Sequence, residues 1–334
     1  MRHPLFQTRI TELLGIRHPI LCGGMGPSVS DARYVAAVVN AGGMGFIVAA
    51  GFPDPEEFRA QLRQCRELTS GKRFGVNLYL SGQAKAVALL QEQVRILAEE
   101  EVLCVETSGG SPEAVLSSLR EAGIKVLHKV PAVRYARSAA RLGVDAVIVV
   151  GNDCGGHPGT YGISSMVQAA LAPREISAPL VIGGGIGTGS QLAATLMMGA
   201  DAILMGSRML VSEELWIHRD YKEQLVQSDG TQSVVVKTGL RQHHRVLNND
   251  SAKAVAALDA AGASEFERYR PHVMGALTTQ AYRTGDSRLG MLDYGPSVVF
   301  ANAVQTVEAI FDEVLDDAQR AMRRFEGLRC NAQL

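Results

Sequence analysis

The sequence predicts a closed (β/α)8 barrel with a small helical domain inserted after the eighth strand. Three observations predict it. Eight short runs that are apolar throughout alternate strictly with longer stretches of helical period, as strands buried on both faces do. Glycine-rich strand ends come late in the order, where barrels of this kind grip phosphates. No GxGxxG follows the first run, as a doubly wound dinucleotide fold would require.

The expected strands are Pro19–Gly23, Gly45–Ala50, Phe74–Leu80, Leu103–Thr107, Val126–Val130, Ala146–Val150, Leu180–Gly183 and Ala202–Met205. Between them lie helical stretches such as Asp31–Ala41, Pro55–Leu68, Ala84–Glu100, Pro112–Ala122, Val133–Leu142 and Gln191–Met198. Several end at glycine, as at Gly42, Gly123, Gly143 and Gly199, where a left-handed cap stops a helix. After Met209 the alternation stops. Helical runs follow at Trp216–Gln227, Ser251–Ala261 and Pro271–Tyr282, with one short extended piece at Val234–Val236. A long amphipathic helix over Val298–Arg324 is expected to close the barrel. The division is therefore 1–212 plus 285–334 as barrel, and 213–284 as an inserted helical domain covering the substrate.

Composition narrows the class. At 334 residues, 46% hydrophobic and 20% charged, the chain suits one barrel with an appendage. A net charge of −1 offers nothing to nucleic acid or an anionic membrane. Five scattered cysteines (Cys22, Cys65, Cys104, Cys154, Cys330) form no CxxC pair, so neither a zinc ribbon nor a disulfide framework is expected, and no metal. Free thiols, an N-terminus without an apolar signal core and no membrane-length run lead to the expectation of a cytoplasmic protein. Oligomeric state stays open, a homodimer among the options.

The richest stretch is Gly183-Gly184-Gly185-Ile186-Gly187-Thr188-Gly189, with a second strand end at Gly206-Ser207-Arg208. Glycine lets the backbone approach an anion, and main-chain N–H groups at a helix start supply positive charge. A phosphorylated cofactor is expected there. His157, in Gly151-Asn152-Asp153-Cys154-Gly155-Gly156-His157-Pro158-Gly159 after the sixth strand, is the strongest catalytic candidate. A locally bonded loop histidine is the plain alternative. Asp153 is open between orienting that ring, lying in solvent and capping a turn; Cys154 reads as a small buried thiol. Gly23, Gly24 and Met25 end the first strand where a flat ligand could lie. Asn77 and Lys129 interrupt apolar strands, and burial of either demands a partner, expected to be a ligand. His128 should point to the other side of its strand and be structural. Trp216 and the pair His243-His244 read as fold or surface residues.

With these features together, the sequence resembles the nitronate monooxygenase family, formerly 2-nitropropane dioxygenases, from about residue 5 to residue 325. Gly151–Gly159, Gly183–Gly189 and Met205–Arg208 carry the resemblance jointly. It implies an FMN-dependent barrel with Gly23, Gly24, Met25, Asn77 and Lys129 around the flavin and Gly156 among the cofactor contacts. Gly183, Gly184, Gly185, Gly206 and Ser207 would hold the phosphate. His157 would serve as base or as donor to a nitro group, while alkyl nitronate and O2 become carbonyl compound and nitrite. His128-Lys129, Cys154–Gly159 and Thr284-Gly285-Asp286 are similar to a branch of the family that works as an NAD(P)H:quinone reductase, with NADH or NADPH as co-substrate. An enoyl-acyl-carrier-protein reductase or a non-catalytic flavin-binding barrel are further alternatives. Tyr294 and Pro296 stand where the family usually carries a small loop ending in glutamine, so Tyr294 and Met291 are expected to line the substrate pocket.

Overall fold

The computed structural model describes residues 3–26, 28–81 and 84–328; Cys330 lies outside them. Eight parallel strands pair in chain order and close on themselves. They are β1 (Ile20–Cys22), β2 (Met44–Val48), β3 (Gly75–Leu80), β4 (Cys104–Gly109), β5 (Lys125–Val130), β6 (Ala146–Val150), β7 (Leu180–Gly183) and β8 (Ala202–Met205). Leu21 of β1 pairs with Leu204 of β8, completing the (β/α)8 barrel.

Successive side chains alternate between two cores, the physical reason these runs read as apolar throughout. Leu21, Phe46, Cys104, Leu127, Ile148, Val181 and Leu204 fill the barrel, and α1 (Arg9–Leu14) plugs its floor with Ile10 and Leu14. Arg9 fixes that plug by a two-pronged contact to Asp201 at 2.8 and 2.6 Å. Ile47, Val76, Val105, Val126, Val147, Ile182 and Ile203 face outward under the helices. These are α2 (Ala32–Asn40), α3 (Pro55–Leu68), α4 (Ala84–Glu99), α5 (Glu113–Glu121), α6 (Val133–Leu142), α7 (Ser165–Glu175) and α8 (Gly189–Met197). Asp31 and Asp54 cap α2 and α3 through their carboxylates, and left-handed Gly143 (φ 78°) ends α6.

Beyond β8 a 3-10 turn (Ser207–Val211) leads to α9 (Arg219–Val226), then β9 (Ser233–Val236) and β10 (His244–Leu247). There follow α10 (Asp250–Ala260), α11 (Phe266–Val273), α12 (Gly275–Thr284), a second 3-10 turn (Pro296–Phe300) and α13 (Val307–Leu328). Buried Lys222 of α9 secures the exit by donating to the carbonyls of Ser212 and Leu215 at 2.7 and 2.6 Å. Trp216 donates to Ser28 O at 2.7 Å, tying this segment to the loop after β1. Val236, Val246, Val255, Tyr269 and Met291 form a core of their own.

Three expectations need correction. The extended piece Val234–Val236 is one arm of an antiparallel hairpin whose other arm, beginning at His244, is too short and polar to show a period. The helix expected from Pro271 to Tyr282 is broken at Met274, whose backbone is extended (ψ 129°). The last helix starts at Val307 rather than Val298, because Pro296–Phe300 forms a tight turn and Gln305 bridges to Ser212. No helix among the described residues is long and apolar enough to cross a membrane.

The glycine run divides by purpose. Gly184 and Gly185 have φ of +98° and +65°, a turn other residues would strain to make. Gly189 serves packing instead: a Cβ there would lie 1.9 Å from Val314 O and 2.2 Å from Ala318 N of α13. Gly189→Ala must push α8 and α13 apart, an overpacking cost of about 1–3 kcal/mol. A lower midpoint in chemical denaturation is expected; an unchanged midpoint would contradict this contact.

Candidate functional site

The inward set of strand residues, continued to the open end of the barrel, brings three polar side chains together. Asn77 of β3 is paired in register with Glu106 of β4, and Lys129 of β5 lies two residues beyond Leu127, Glu106's register partner. Glu106 is fully buried and accepts from Asn77 Nδ2 at 2.7 Å, Lys129 Nζ at 2.8 Å and Gly24 N at 3.0 Å. Sequence reasoning expected a ligand as the partner of Asn77 and Lys129. The anion is supplied by the protein. Glu106 interrupts an apolar strand just as Asn77 does, and the same test would have found it. Gly24 is pressed on this cluster, since a Cβ there would lie 2.6 Å from Asn77 Cβ. A Cβ on Gly23 would lie 3.4 Å from Glu106 Oε1. Met25 is half-buried beside them. His128 points outward, bonded through Nδ1 to Thr107 Oγ1 at 2.9 Å, and burial pushes its pKa down to about 4.

At the ends of β7 and β8, no described residue accepts from the backbone N–H of Gly184, Gly185, Gly206 or Ser207. Open space surrounds the position a Cβ would take on Gly206. Free N–H donors beside such a cradle fit a phosphate. The N–H groups of Gly187 and Thr188, by contrast, are taken by Gln191 Oε1 at 2.8 and 3.1 Å. Ser207 Oγ accepts from Gly295 N at 2.9 Å, so the 294–296 segment crosses this strand end.

The loop after β6 is closed on itself. Asn152 N donates to Ile163 O at 2.8 Å, and Gly159 (φ 73°) is packed against Pro131. Asp153 accepts from Ser165 N and Oγ at 3.0 and 2.6 Å, which resolves its role: it caps the start of α7. Burial pushes the Cys154 thiol up to about 12, so it stays protonated and inert as a nucleophile. Gly156 (φ 81°) exchanges two backbone bonds with Arg245 of β10, at 3.0 and 2.7 Å. That exchange lays the hairpin along the loop and places His244 on His157. The two rings stack with centroids 4.3 Å apart and 16° between planes.

His244, read from sequence as a fold or surface residue, is thus part of the site. It is 7% exposed, its Nε2 is 2.6 Å from Asp293 Oδ1, and its Nδ1 is buried without a partner among the described residues. His157 stacks against His244 with its other face open to solvent. Its pKa is pushed down to about 3, first by desolvation, then by repulsion from His244, Lys237 and Lys129 against attraction from Asp293. The imidazole is therefore uncharged at neutral pH.

The two residues expected to line the substrate pocket are both buried. Met291 is 5% exposed and belongs to the core formed with Val236, Val246 and Tyr269. Tyr294 is 1% exposed, and its hydroxyl is bonded to Ser228 and, at 2.7 Å, to Gln232. A buried phenol must spend its hydroxyl on a partner. Here that partner is the α9–β9 loop, so Tyr294 straps the 294–296 segment down. Asp293, one residue earlier, is the group that reaches the site.

Comparison with known proteins follows this geometry. The sequence matches the nitronate monooxygenase family over residues 7–317. It is 31% identical over 244 residues to the (3aS,4S,5R,7aS)-5-hydroxy-7a-methyl-1-oxo-octahydro-1H-indene-4-carboxyl-CoA dehydrogenase of Rhodococcus jostii RHA1, covering 73% of this chain and 66% of that protein. The chain thus spans about two thirds of that relative's length. It is 27% identical over 282 residues to a probable nitronate monooxygenase of Staphylococcus aureus JH9, covering 73% and 79%. Among solved structures, FabK from Thermotoga maritima superposes with a TM-score of 0.88 at 31% identity, covering 97% of this chain and 100% of that one. A match over residues 7–317 means that the chain belongs to the nitronate monooxygenase family of flavin-dependent oxidoreductases.

Proposed function

We propose that the protein is an FMN-dependent enzyme that oxidises alkyl nitronates with O2 to a carbonyl compound and nitrite. The observation that carries this reading is a neutral His157 stacked on the His244–Asp293 pair at the mouth of the barrel. FMN, when bound, supplies the electron transfer and the reaction with O2. Gly184, Gly185, Gly206 and Ser207 would hold its phosphate through their N–H groups, with Gly183 ending β7 beneath them. Gly23, Gly24, Met25, Asn77, Lys129 and Gly156 would line the flavin, with Glu106 fixing Asn77 and Lys129. A nitronate enters already deprotonated, so no base is required. A neutral imidazole retains one N–H, which His157 would donate to a nitro oxygen while the stack fixes the ring. Residues 213–284 would cover the site, since their hairpin brings His244 to it.

A second reading is NAD(P)H-dependent reduction of a quinone. One observation favours it. On the rim beside the β6 loop, the Arg134 guanidinium lies 5.2 Å from the Tyr135 ring centre and 5.6 Å from that of Tyr161, a surface that would suit an adenine nucleotide.

Purified protein is expected to be yellow with stoichiometric FMN. Anaerobic mixing with ethyl nitronate should bleach the flavin rapidly, and NADH or NADPH should not. Bleaching by NAD(P)H alone would transfer the assignment to the second reading. A colourless protein that cannot be reconstituted with FMN sinks both.

A further inference from the structure

We propose that Lys237 is the anion anchor of this cleft, binding the planar oxyanion end of the substrate beside His157. The proposal deepens the nitronate reading and rests on it for the substrate class. Lys237 immediately follows β9, and Val236 before it pairs in register with His244. The lysine therefore leaves the hairpin one residue beyond the pair that carries the ring stacked on His157. Its backbone is left-handed, with φ of +61°, a conformation suited to glycine or asparagine and unfavourable for lysine.

The turn imposes that conformation. Thr238 N and Gly239 N both donate to the Asp259 carboxylate, at 3.1 and 3.0 Å. Tyr269 Oη donates to the same carboxylate at 2.8 Å and is itself fully buried. Gly239 is packed so closely that a Cβ would lie 2.2 Å from Ala263 O. Gln242 N closes the turn on Lys237 O at 3.2 Å. The hairpin tip is thus rigid, and Lys237 is held where it stands.

Lys237 is half-buried, yet among the described residues none forms a hydrogen bond or an ion pair with its ammonium. The nearby charges do not supply one. Asp293 attracts it from a distance, but Asp293 Oδ1 is engaged by His244. Lys129 is held by Glu106, and Arg245 by Asn152 O and Ser233 Oγ. Desolvation lowers the pKa of Lys237, and Lys237 in turn helps keep His157 neutral. A strained backbone and an uncompensated cation both oppose folding. Stability therefore gives no reason for lysine here. An anion arriving in the cleft does, because it completes the pair that the protein leaves open.

The test uses FMN-loaded protein and nitrate ion, a planar oxyanion that cannot react, titrated by its perturbation of the flavin spectrum. Lys237→Met should weaken nitrate binding about tenfold or more, and Lys237→Arg should keep most of it. Lys237→Gly should weaken binding as much as the methionine variant while its Tm stays equal to or above wild type, because glycine relieves the left-handed strain. A merely structural lysine could not give opposite movements in affinity and Tm. Nitrate binding that is undetectable in wild type, or equal in wild type and Lys237→Met, overturns the proposal, as does a fall in Tm in Lys237→Gly. A protein that binds nitrate through Lys237 but is not bleached by ethyl nitronate keeps the anchor and loses only the nitronate reading.

Discussion

Replacing His157 with alanine is expected to lower turnover by about 10²- to 10³-fold while FMN content and Tm hardly change, the usual cost of removing one aimed donor or proton carrier. The ring occupies a loop whose shape is set by other bonds: Asn152 to Ile163, Asp153 to Ser165, and Gly156 to Arg245. Losing the imidazole should leave that loop standing. The pH dependence sharpens the prediction. An ordinary histidine takes a proton near pH 6.5. His157 is pushed down to about 3, so it stays neutral as pH falls through the range where a free imidazole would charge. The rate profile of the wild-type enzyme should therefore show no acid limb from this residue between about pH 5 and pH 8. His244 contributes repulsion to that shift and Asp293 contributes attraction. His244→Ala should consequently raise the pKa of His157 and bring an acid limb upward into the measurable range. A wild-type limb near 6.5 that disappears in His157→Ala would show that the ring titrates normally and that the stack does not control it.

Glu106→Gln is expected to be the most damaging single change within the barrel. One carboxylate serves three donors on or just beyond three different strands, Gly24, Asn77 and Lys129. Glu106 has no exposed side-chain surface and Lys129 only 21%. Breaking such a pair from one side leaves an ammonium without its counter-charge, a loss of about 3–5 kcal/mol. Thermal denaturation should show a fall of several degrees, and bound FMN should fall with it because Asn77 and Lys129 lose their anchor. Adding Lys129→Met to Glu106→Gln should recover much of the Tm, since the stranded charge is then gone, but should not restore FMN binding. An unchanged Tm in Glu106→Gln would mean that Lys129 finds compensation elsewhere.

Legibility followed the range of the interactions. The strands were visible because both faces are buried, so residues such as Val147, Ile148 and Val149 are apolar in succession. Gly184 and Gly185 were visible because left-handed backbone restricts residue type locally. Asn77 and Lys129 were visible as polar breaks in apolar strands. Their partner Glu106 carried the same local mark, and its significance emerges only when β3, β4 and β5 lie side by side. His244 carried no mark. Its place depends on a hairpin whose second arm has no readable period and on two backbone bonds to Gly156. Met291 and Tyr294 were assigned to the pocket from their neighbourhood in the chain, whereas packing put one in a core and tied the other's hydroxyl to Gln232.

What the sequence determined by itself is the barrel, the late glycine ends suited to a phosphate, and His157 in a loop above them. Each depends on periodicity or on conformational demands within a few residues. What only the tertiary structure decided is the company these groups keep: Glu106 beneath Asn77 and Lys129, His244 and Asp293 against His157, and Lys237 at the hairpin tip without a partner among the described residues. Burial and charge balance act between residues distant in the chain, so the protonation of His157 exists as a property only once the hairpin has folded over it.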